Sequence, residues 1–201
     1  MKRLRFISTT VLTVCLFAHA ARSNVAEEPT KEQRIAEFAK MPVAERQKPG
    51  FFTMKLVAKD SAERVAAEHD RSKIKLAEDE EILVLNETKN GKRTRELLIV
   101  NKSSRINRTH ISECSVVFGQ NGVELSIKFT EVGGRLFGDV TTDAVGQRLA
   151  IIVGGSFVLS APHINEPILF GSAVISAKDF TEKDAASIAS LFVEPESVKA
   201  K

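Results

Sequence analysis

Tryptophan and tyrosine are absent from this sequence of 201 residues, which nevertheless contains 12 phenylalanines. Tyr and Trp carry a polar group on an apolar ring and are common at exposed recognition surfaces, whereas Phe mainly fills cores. We therefore expect the aromatic side chains of this chain to be core material. The apolar fraction of 43% is ordinary for a globular protein, so the chain can build such a core.

The sequence also has no excess of either charge after residue 20. The formal net charge is +3, but residues 1–20 hold three basic and no acidic residues, and the rest of the chain balances 26 basic against 26 acidic residues. A neutral chain has no electrostatic reason to bind nucleic acid or an anionic membrane. We expect neither as a partner.

The first 20 residues, MKRLRFISTTVLTVCLFAHA, have the pattern of a secretory signal. A basic start precedes an apolar stretch of about 12 residues, and Ala18 and Ala20 stand where a signal peptidase recognises small residues. The first alternative is a membrane anchor, but a transmembrane helix needs ~20 apolar residues and this stretch is too short. No later segment of the sequence is long enough either. We predict cleavage after Ala20 and export to the periplasm or the medium, with lipidation at Cys15 as the second alternative.

Cysteine is scarce, because only Cys114 remains if Cys15 leaves with the signal. An exported chain with one cysteine has no internal disulfide. We expect Cys114 to be a buried small apolar residue, the alternative being a thiol that pairs with another chain.

Motifs for catalysis and metal binding are missing as well. No G-x-S-x-G, H-E-x-x-H, C-x-x-C or Walker-type loop occurs, and His69, His110 and His163 lack metal-ligand spacing. His110 and Cys114 are four residues apart, but nothing marks a third group that would orient a catalytic base. The sequence predicts a non-enzymatic protein without cofactor or metal. The alternative is an envelope hydrolase or other small-ligand-binding enzyme with no recognisable motif.

The segments that follow differ in how strongly their patterns specify structure. Residues 21–50 are polar and proline-containing, and we interpret them as a linker with one short helix at Lys31–Lys40 and no share in the core. Residues 51–115 predict an N-terminal α/β segment: a strand at 51–57, a helix beginning at Asp60, and a hairpin over 81–100. Its strands at 81–85 and 96–100 are joined by a longer loop that contains the turn pair Asn90 and Gly91.

Residues 116–194 show the clearest periodicity. Apolar residues alternate with polar ones over 123–129, which indicates a strand with one buried face. Thr130 and Thr181 stand where they can cap helices. The first of these helices carries an apolar face of Val132, Leu136, Val140 and Ala144, with Phe137 beside Leu136. The predicted order is β-β-α-β-β-β-α, followed by a frayed tail over 195–201. We predict an α+β fold in which two main helices pack on one face of a single mixed or antiparallel sheet.

Four segments of this half resemble the head of the first periplasmic domain of the SecD protein-export family. They are the strand LAIIV at 149–153, the segment SAPHINEPI at 160–168, the strand GSAVIS at 171–176 and the helix start FTEKDA at 180–185. Gly134, Phe137 and Thr141 also fall where the family has a Gly, a Phe and a Thr. The Gly-Gly-Ser turn at 154–156 is one residue longer than the family's turn. The resemblance implies the shape of this domain and a protein or peptide as partner, with an envelope complex as the other partner class.

The best candidate for a binding site lies inside the second of these segments. Prolines stiffen both of its ends, and polar side chains stand between them. The candidate residues are Pro162, His163, Ile164, Asn165, Glu166 and Pro167. One interpretation is a rigid loop that presents polar groups to a partner. The other is a structural crossover whose Asn and Glu side chains satisfy the backbone of their own loop, and we favour it because the motif is needed for the fold itself.

Overall fold

The computed structural model describes residues 29–68, 70–89, 92–119, 122–169, 171–176 and 181–193. Three predictions fall outside these ranges, namely the signal, the Asn90–Gly91 turn and the tail, and so do the residues His69 and Phe180. Within them the chain forms α1 Lys31–Lys40, α2 Val43–Arg46, β1 Phe52–Leu56, α3 Ser61–Ala67, β2 Glu80–Lys89, β3 Lys92–Asn101, β4 Ile106–Asn107, β5 Ile111–Gly119, β6 Gly122–Phe129, α4 Glu131–Asp143, β7 Leu149–Val153, β8 Phe157–Ser160, β9 Ser172–Ser176 and α5 Glu182–Ser190.

The α+β class is confirmed, and so is the order of the last seven elements. The prediction of a single sheet is wrong. The described strands form a three-stranded sheet in the order β5-β6-β9 and a six-stranded sheet in the order β3-β2-β8-β7-β1-β4. Strand spacing along the chain does not reveal this division, because β7 and β8 leave the first sheet and β9 returns to it.

The three-stranded sheet supplies the surface on which the two main helices pack. Alternate residues of β6, namely Leu125, Ile127 and Phe129, are buried, as the period of two predicts. Both α4 and α5 contact this strand, and Phe137 of α4 stacks on Phe129 with ring centroids 4.5 Å apart. The two helices therefore share one face of this sheet.

The six-stranded sheet curls until its first and last long strands meet. Val57, just after β1, forms a β-bridge with Val100 of β3, and the N–H of Ala58 donates to the carbonyl of Ile99 at 2.8 Å. Five strands thereby enclose a small barrel. Its interior is an apolar cluster supplied by Leu83, Leu85, Leu98, Val100, Ala150, Ile152, Val158 and Ala161, together with Val57.

Strand β7 separates this interior from the main core. Ala150 and Ile152 point into the barrel, whereas Leu149, Ile151 and Val153 belong to the larger cluster with the helices and β6. All five residues are buried. Burial on both faces explains why this segment is a continuous apolar run without alternation.

The core also includes part of the segment that we interpreted as a linker. Ile35 and Phe38 of α1 are 4% and 7% exposed and join the main cluster, so the expectation that residues 21–50 contribute no core is wrong at these positions. The Phe38 ring lies 6.1 Å from the rings of Phe51 and Phe157. The polar composition of α1 conceals this contact, because only two of its residues are buried.

Most of the described phenylalanines fill the core. Among the described residues, six are buried, Phe157 is half-buried and Phe118 is 72% exposed. Cys114 is buried as predicted, and burial raises the pKa of its thiol to about 12. The thiol is therefore neutral, and its thiolate is rare at neutral pH.

An ion pair fastens α1 to the start of α5. Asp184 accepts hydrogen bonds from the N–H and hydroxyl of Thr181 at 3.1 and 2.8 Å, and its carboxylate lies 3.3 Å from the Lys31 ammonium. Burial opposes ionisation of Asp184, but these interactions outweigh it and lower the pKa of the carboxyl.

We predict that Asp184→Asn reduces the free energy of unfolding by about 1 kcal/mol at neutral pH, because the charge-assisted bonds are lost. A lowered folded-state pKa stabilises the fold above the unfolded pKa of about 4, and that contribution disappears as the pH falls through the folded pKa. Urea unfolding of both proteins across this range should therefore converge at low pH. Asp143→Asn, at an exposed position, is the matched control, and a pH-independent difference would contradict the assignment.

The glycines of the β7–β8 turn provide a test of whether α1 belongs to the folded unit. Both have left-handed φ values, 62° at Gly154 and 81° at Gly155. A Cβ at position 154 would lie 2.1 Å from the Phe38 ring, whereas one at 155 would meet nothing closer than 3.8 Å.

We predict that Gly154→Ala destabilises the protein by about 3 kcal/mol and Gly155→Ala by about 1 kcal/mol, as measured by denaturant unfolding. Both variants carry the backbone strain, so the difference isolates the contact with Phe38. Equal losses would indicate that α1 is not docked on this turn.

Candidate partner-binding loop

The predicted segment crosses from β8 towards β9, and its residues differ in burial. Ile164 is 4% exposed and belongs to the main core. Pro162, His163, Asn165, Glu166 and Pro167 are exposed. The segment thus has one buried anchor and presents its polar residues to solvent.

Backbone hydrogen bonds hold the first half of the loop against the residues before β7. The N–H of Leu149 donates to the carbonyl of Pro162 at 2.9 Å, and the N–H of Ile164 donates to the carbonyl of Gln147 at 2.8 Å. The carbonyl of Ile164 in turn accepts from Gly146 at 2.8 Å. This pairing leaves the conformation of 162–164 little freedom.

A buried hydroxyl fixes the second half. Thr141 of α4 is fully buried, and its Oγ1 accepts a hydrogen bond from the N–H of Ile168 at 2.9 Å. The same hydroxyl lies 2.9 Å from the carbonyl of Phe137, to which it donates. Thr141 therefore bridges the helix backbone and the loop backbone.

Glycines on α4 let the loop approach the helix closely. A Cβ at Gly138 would lie 3.5 Å from Leu169, and one at Gly134 would lie 3.1 Å from the Cα of Gly171. Any side chain at 134 would push the loop away from the helix. The Gly and Thr that carry part of the family resemblance thus have a shared structural role, which is to position Gly171 and Ile168 against the helix.

The predicted face of α4 is confirmed at Phe137, Val140 and Ala144, which are buried, but Leu136 is only half-buried and Val132 is 54% exposed. The buried face also includes Gly133, Gly138 and Thr141. The apolar pattern missed these three positions because two are glycines and the third is polar. A glycine contributes nothing to an apolar pattern, even where it is the contact residue.

The side chains of Asn165 and Glu166 are not used by the loop itself. Within the described part of the chain, neither forms a hydrogen bond with the loop backbone, which is satisfied instead by residues 146–149 and by Thr141. The backbone of the crossover is therefore held in place by the rest of the fold. The prediction that Asn165 and Glu166 satisfy this backbone is wrong. They are exposed polar groups on a fixed support.

His163 borders a cavity of about 390 Å³ at one end of the small barrel. Arg148 and Glu96 lie on its wall, and their side chains form an ion pair with contacts of 2.5 and 3.2 Å. Arg148 also donates from Nε to the carbonyl of Ala161 at 2.9 Å. The ion pair closes this end of the barrel interior, as the 2.5 Å pair between Lys55 and Glu81 does at the other end.

Sequence reasoning missed both this cavity and a second, larger one of about 700 Å³ between the start of α1 and the β2–β3 hairpin. Its wall includes Thr30, Arg34, Arg71 and Phe157. No local motif marks either cavity, because each is lined by segments far apart in the sequence. Among the described residues, no group of three or more His, Cys, Asp or Glu side chains is arranged to hold a metal ion.

The class of protein follows from a sequence match, and it is the head subdomain found in SecDF. The chain matches the family profile described as SecDF, P1 head subdomain, over residues 81–193, which is more than half of its length. The chain belongs to this family. The match includes the β2–β3 hairpin, which we had assigned to the segment before the head.

The relatives of this chain are protein translocase subunits SecD. That of Rickettsia bellii is 39% identical over 95 residues, which cover 47% of this chain and 18% of the relative. That of Magnetococcus marinus is 38% identical over 93 residues, covering 46% and 17% respectively. The chain therefore spans less than a fifth of the length of these relatives.

Solved structures of SecDF share elements of this fold. One, described as a membrane component that enhances protein export, is 20% identical, with 80% of this chain and 66% of that chain covered and a TM-score of 0.47. Another, SecDF in its super-membrane-facing form, is 19% identical, with 84% and 27% covered and a TM-score of 0.48. In the present chain, none of the described helices is both long and apolar enough to traverse a bilayer.

We predict that Thr141→Val loosens the loop without disturbing α4. Valine has the shape of threonine but leaves the N–H of Ile168 without its acceptor, which costs about 1–3 kcal/mol. Amide hydrogen exchange at Ile168 should accelerate, and the free energy of unfolding should fall. Thr142→Val is the control, because its exposed hydroxyl bonds only to the helix carbonyl of Gly138; similar exchange at Ile168 in both variants would refute the role of Thr141.

Proposed function

We propose that this chain is an exported, non-enzymatic accessory module of protein export that contacts polypeptide through the loop 162–167. Family membership supports a role in export, and the exposed side chains of Asn165 and Glu166 on their fixed support carry the proposal. Removal of residues 1–20 after Ala20 and residence in the periplasm belong to the same proposal.

The chemistry of the loop suits the peptide group. The amide of Asn165 both donates and accepts hydrogen bonds, and the carboxylate of Glu166 accepts them, so together they can pair with N–H and C=O groups of any sequence. Because residues 164 and 168 are already anchored, binding orders little additional backbone and loses little conformational entropy. Leu169 is 64% exposed directly after the loop and offers an apolar contact beside the polar ones.

The proposal is tested with reduced and carboxymethylated lactalbumin, a polypeptide that stays unfolded in buffer. We predict that the wild-type chain binds it and that the double variant Asn165→Ala, Glu166→Ala raises the dissociation constant about tenfold, since two or three hydrogen bonds are lost. Fluorescence anisotropy measures the binding. The melting temperature should not change, because both side chains are exposed.

Glu63→Ala is the matched control, since Glu63 is an exposed carboxylate on α3. It should bind as the wild type does. Failure of the wild-type chain to bind unfolded polypeptide would overturn the proposed function, and equal affinity of the loop variant and the control would remove the loop from it.

A further inference from the structure

Among the described residues, the outer edge of β9 has no partner strand. In the three-stranded sheet β9 pairs with β6 alone, and the order β5-β6-β9 places it at the end of the sheet. Its five residues run without a register shift opposite Lys128 to Glu124. A strand at this position exposes one row of backbone N–H and C=O groups.

Two hydrogen bonds establish which residues form that row. The N–H of Phe129 donates to the carbonyl of Gly171 at 2.9 Å, so Gly171, Ala173 and Ile175 direct their backbone groups towards β6. The N–H of Thr130 donates to the carbonyl of His110, on the opposite side of β6, which agrees with the same alternation. The backbone groups of Ser172, Val174 and Ser176 therefore point away from the sheet. Within the described ranges, no other element bonds to them.

The side chains of this edge do not protect it. Natural sheets block their edges with charged residues, proline, bulges or very short strands. The sequence of β9, Ser-Ala-Val-Ile-Ser, contains no charge and no proline. Val174 is 57% exposed on the outer face.

The other sheet edges have such protective features. Strand β5, at the opposite end of the same sheet, has a register shift between Ile111 and Glu113 and an exposed ion pair between Glu113 and Lys128. Strand β4, at the edge of the six-stranded sheet, has only two residues, and β3 meets the end of β1. Among the described strands, β9 is the long edge without such protection.

We propose that β9 binds an extended polypeptide segment as an added antiparallel strand, through the backbone groups of Ser172, Val174 and Ser176. This inference rests on the proposed function and specifies how the polypeptide is held. The bonds are to backbone, so they select extended conformation rather than sequence. One carboxylate lies beside the edge, because Glu124 of β6 accepts a hydrogen bond from the Ser176 hydroxyl at 2.6 Å. Val174 favours an apolar residue in the cross-strand position.

The edge is tested with a fluorescein-labelled peptide of about ten residues that alternates valine and threonine and carries lysines at its ends. Val174→Pro removes the outward N–H and obstructs an incoming strand, and it leaves the bonds of β9 to β6 unchanged because position 174 does not donate to β6. We expect it to raise the dissociation constant at least about tenfold. Val174→Thr keeps the N–H and the branched shape and should bind within about twofold of the wild type.

A second measurement does not depend on the proline variant being folded. In the wild-type chain, saturating peptide should slow amide hydrogen exchange at Val174 and leave exchange at Ala173 unchanged. Unchanged amide exchange at Val174 would overturn the inference. So would a folded Val174→Pro variant that binds the peptide with the affinity of the wild type. In both cases, binding of the peptide by the wild-type chain would leave the proposed function standing. Concentration-dependent dimerisation abolished by Val174→Pro would also overturn it, because the edge would then serve a second copy of the chain. A wild-type chain that binds neither this peptide nor lactalbumin would refute both.

Discussion

The rest of the fold depends on the burial of β7 on both faces. One face of this strand completes the interior of the small barrel, and the other lines the core shared with α1, α4, α5 and the three-stranded sheet. Burying a Leu, Ile or Val side chain contributes roughly 1.5–3 kcal/mol, and four of the five consecutive buried residues of β7 are of these types. Because the same strand serves two clusters, neither the barrel nor the helical layer is complete without the other.

The loop that carries the candidate site inherits its rigidity from this arrangement. Its first half pairs with the residues that lead into β7, and its second half is bonded to Thr141 of α4, which packs on the other sheet. The loop is therefore fixed by both layers at once. Exposed polar side chains on such a support lose little entropy when a partner binds, which is why a stiff loop suits recognition better than a free one.

Local features were predictable from the sequence where a local pattern causes them. Thr130 and Thr181 cap their helices, and the alternation of β6 gives its buried face, because each depends on neighbouring residues alone. The division into two sheets, the barrel closure at Val57 and the docking of Phe38 depend on contacts between distant segments. Periodicity contains no information about these.

The candidate loop was likewise predictable only in its local features. Its prolines and polar residues identified the segment, but its anchors are a helix hydroxyl and the backbone of residues 146–149, neither of which the motif contains. The apolar periodicity of α4 identified Phe137, Val140 and Ala144 but not Gly133 and Gly138, which are buried contact residues without side chains. The open edge of β9 was not predictable, because openness is a property of the sheet order.

The docking of α1 also decides where the chain can be shortened. The family match begins at residue 81, yet β1, which completes the barrel, lies at 52–56, and α1 covers the rings of Phe51 and Phe157. A fragment cut at the family boundary would lack a barrel strand, and one cut at residue 51 would expose aromatic surface to water. The smallest soluble unit therefore has to start ahead of Lys31, some fifty residues before the part of the sequence that identifies the family.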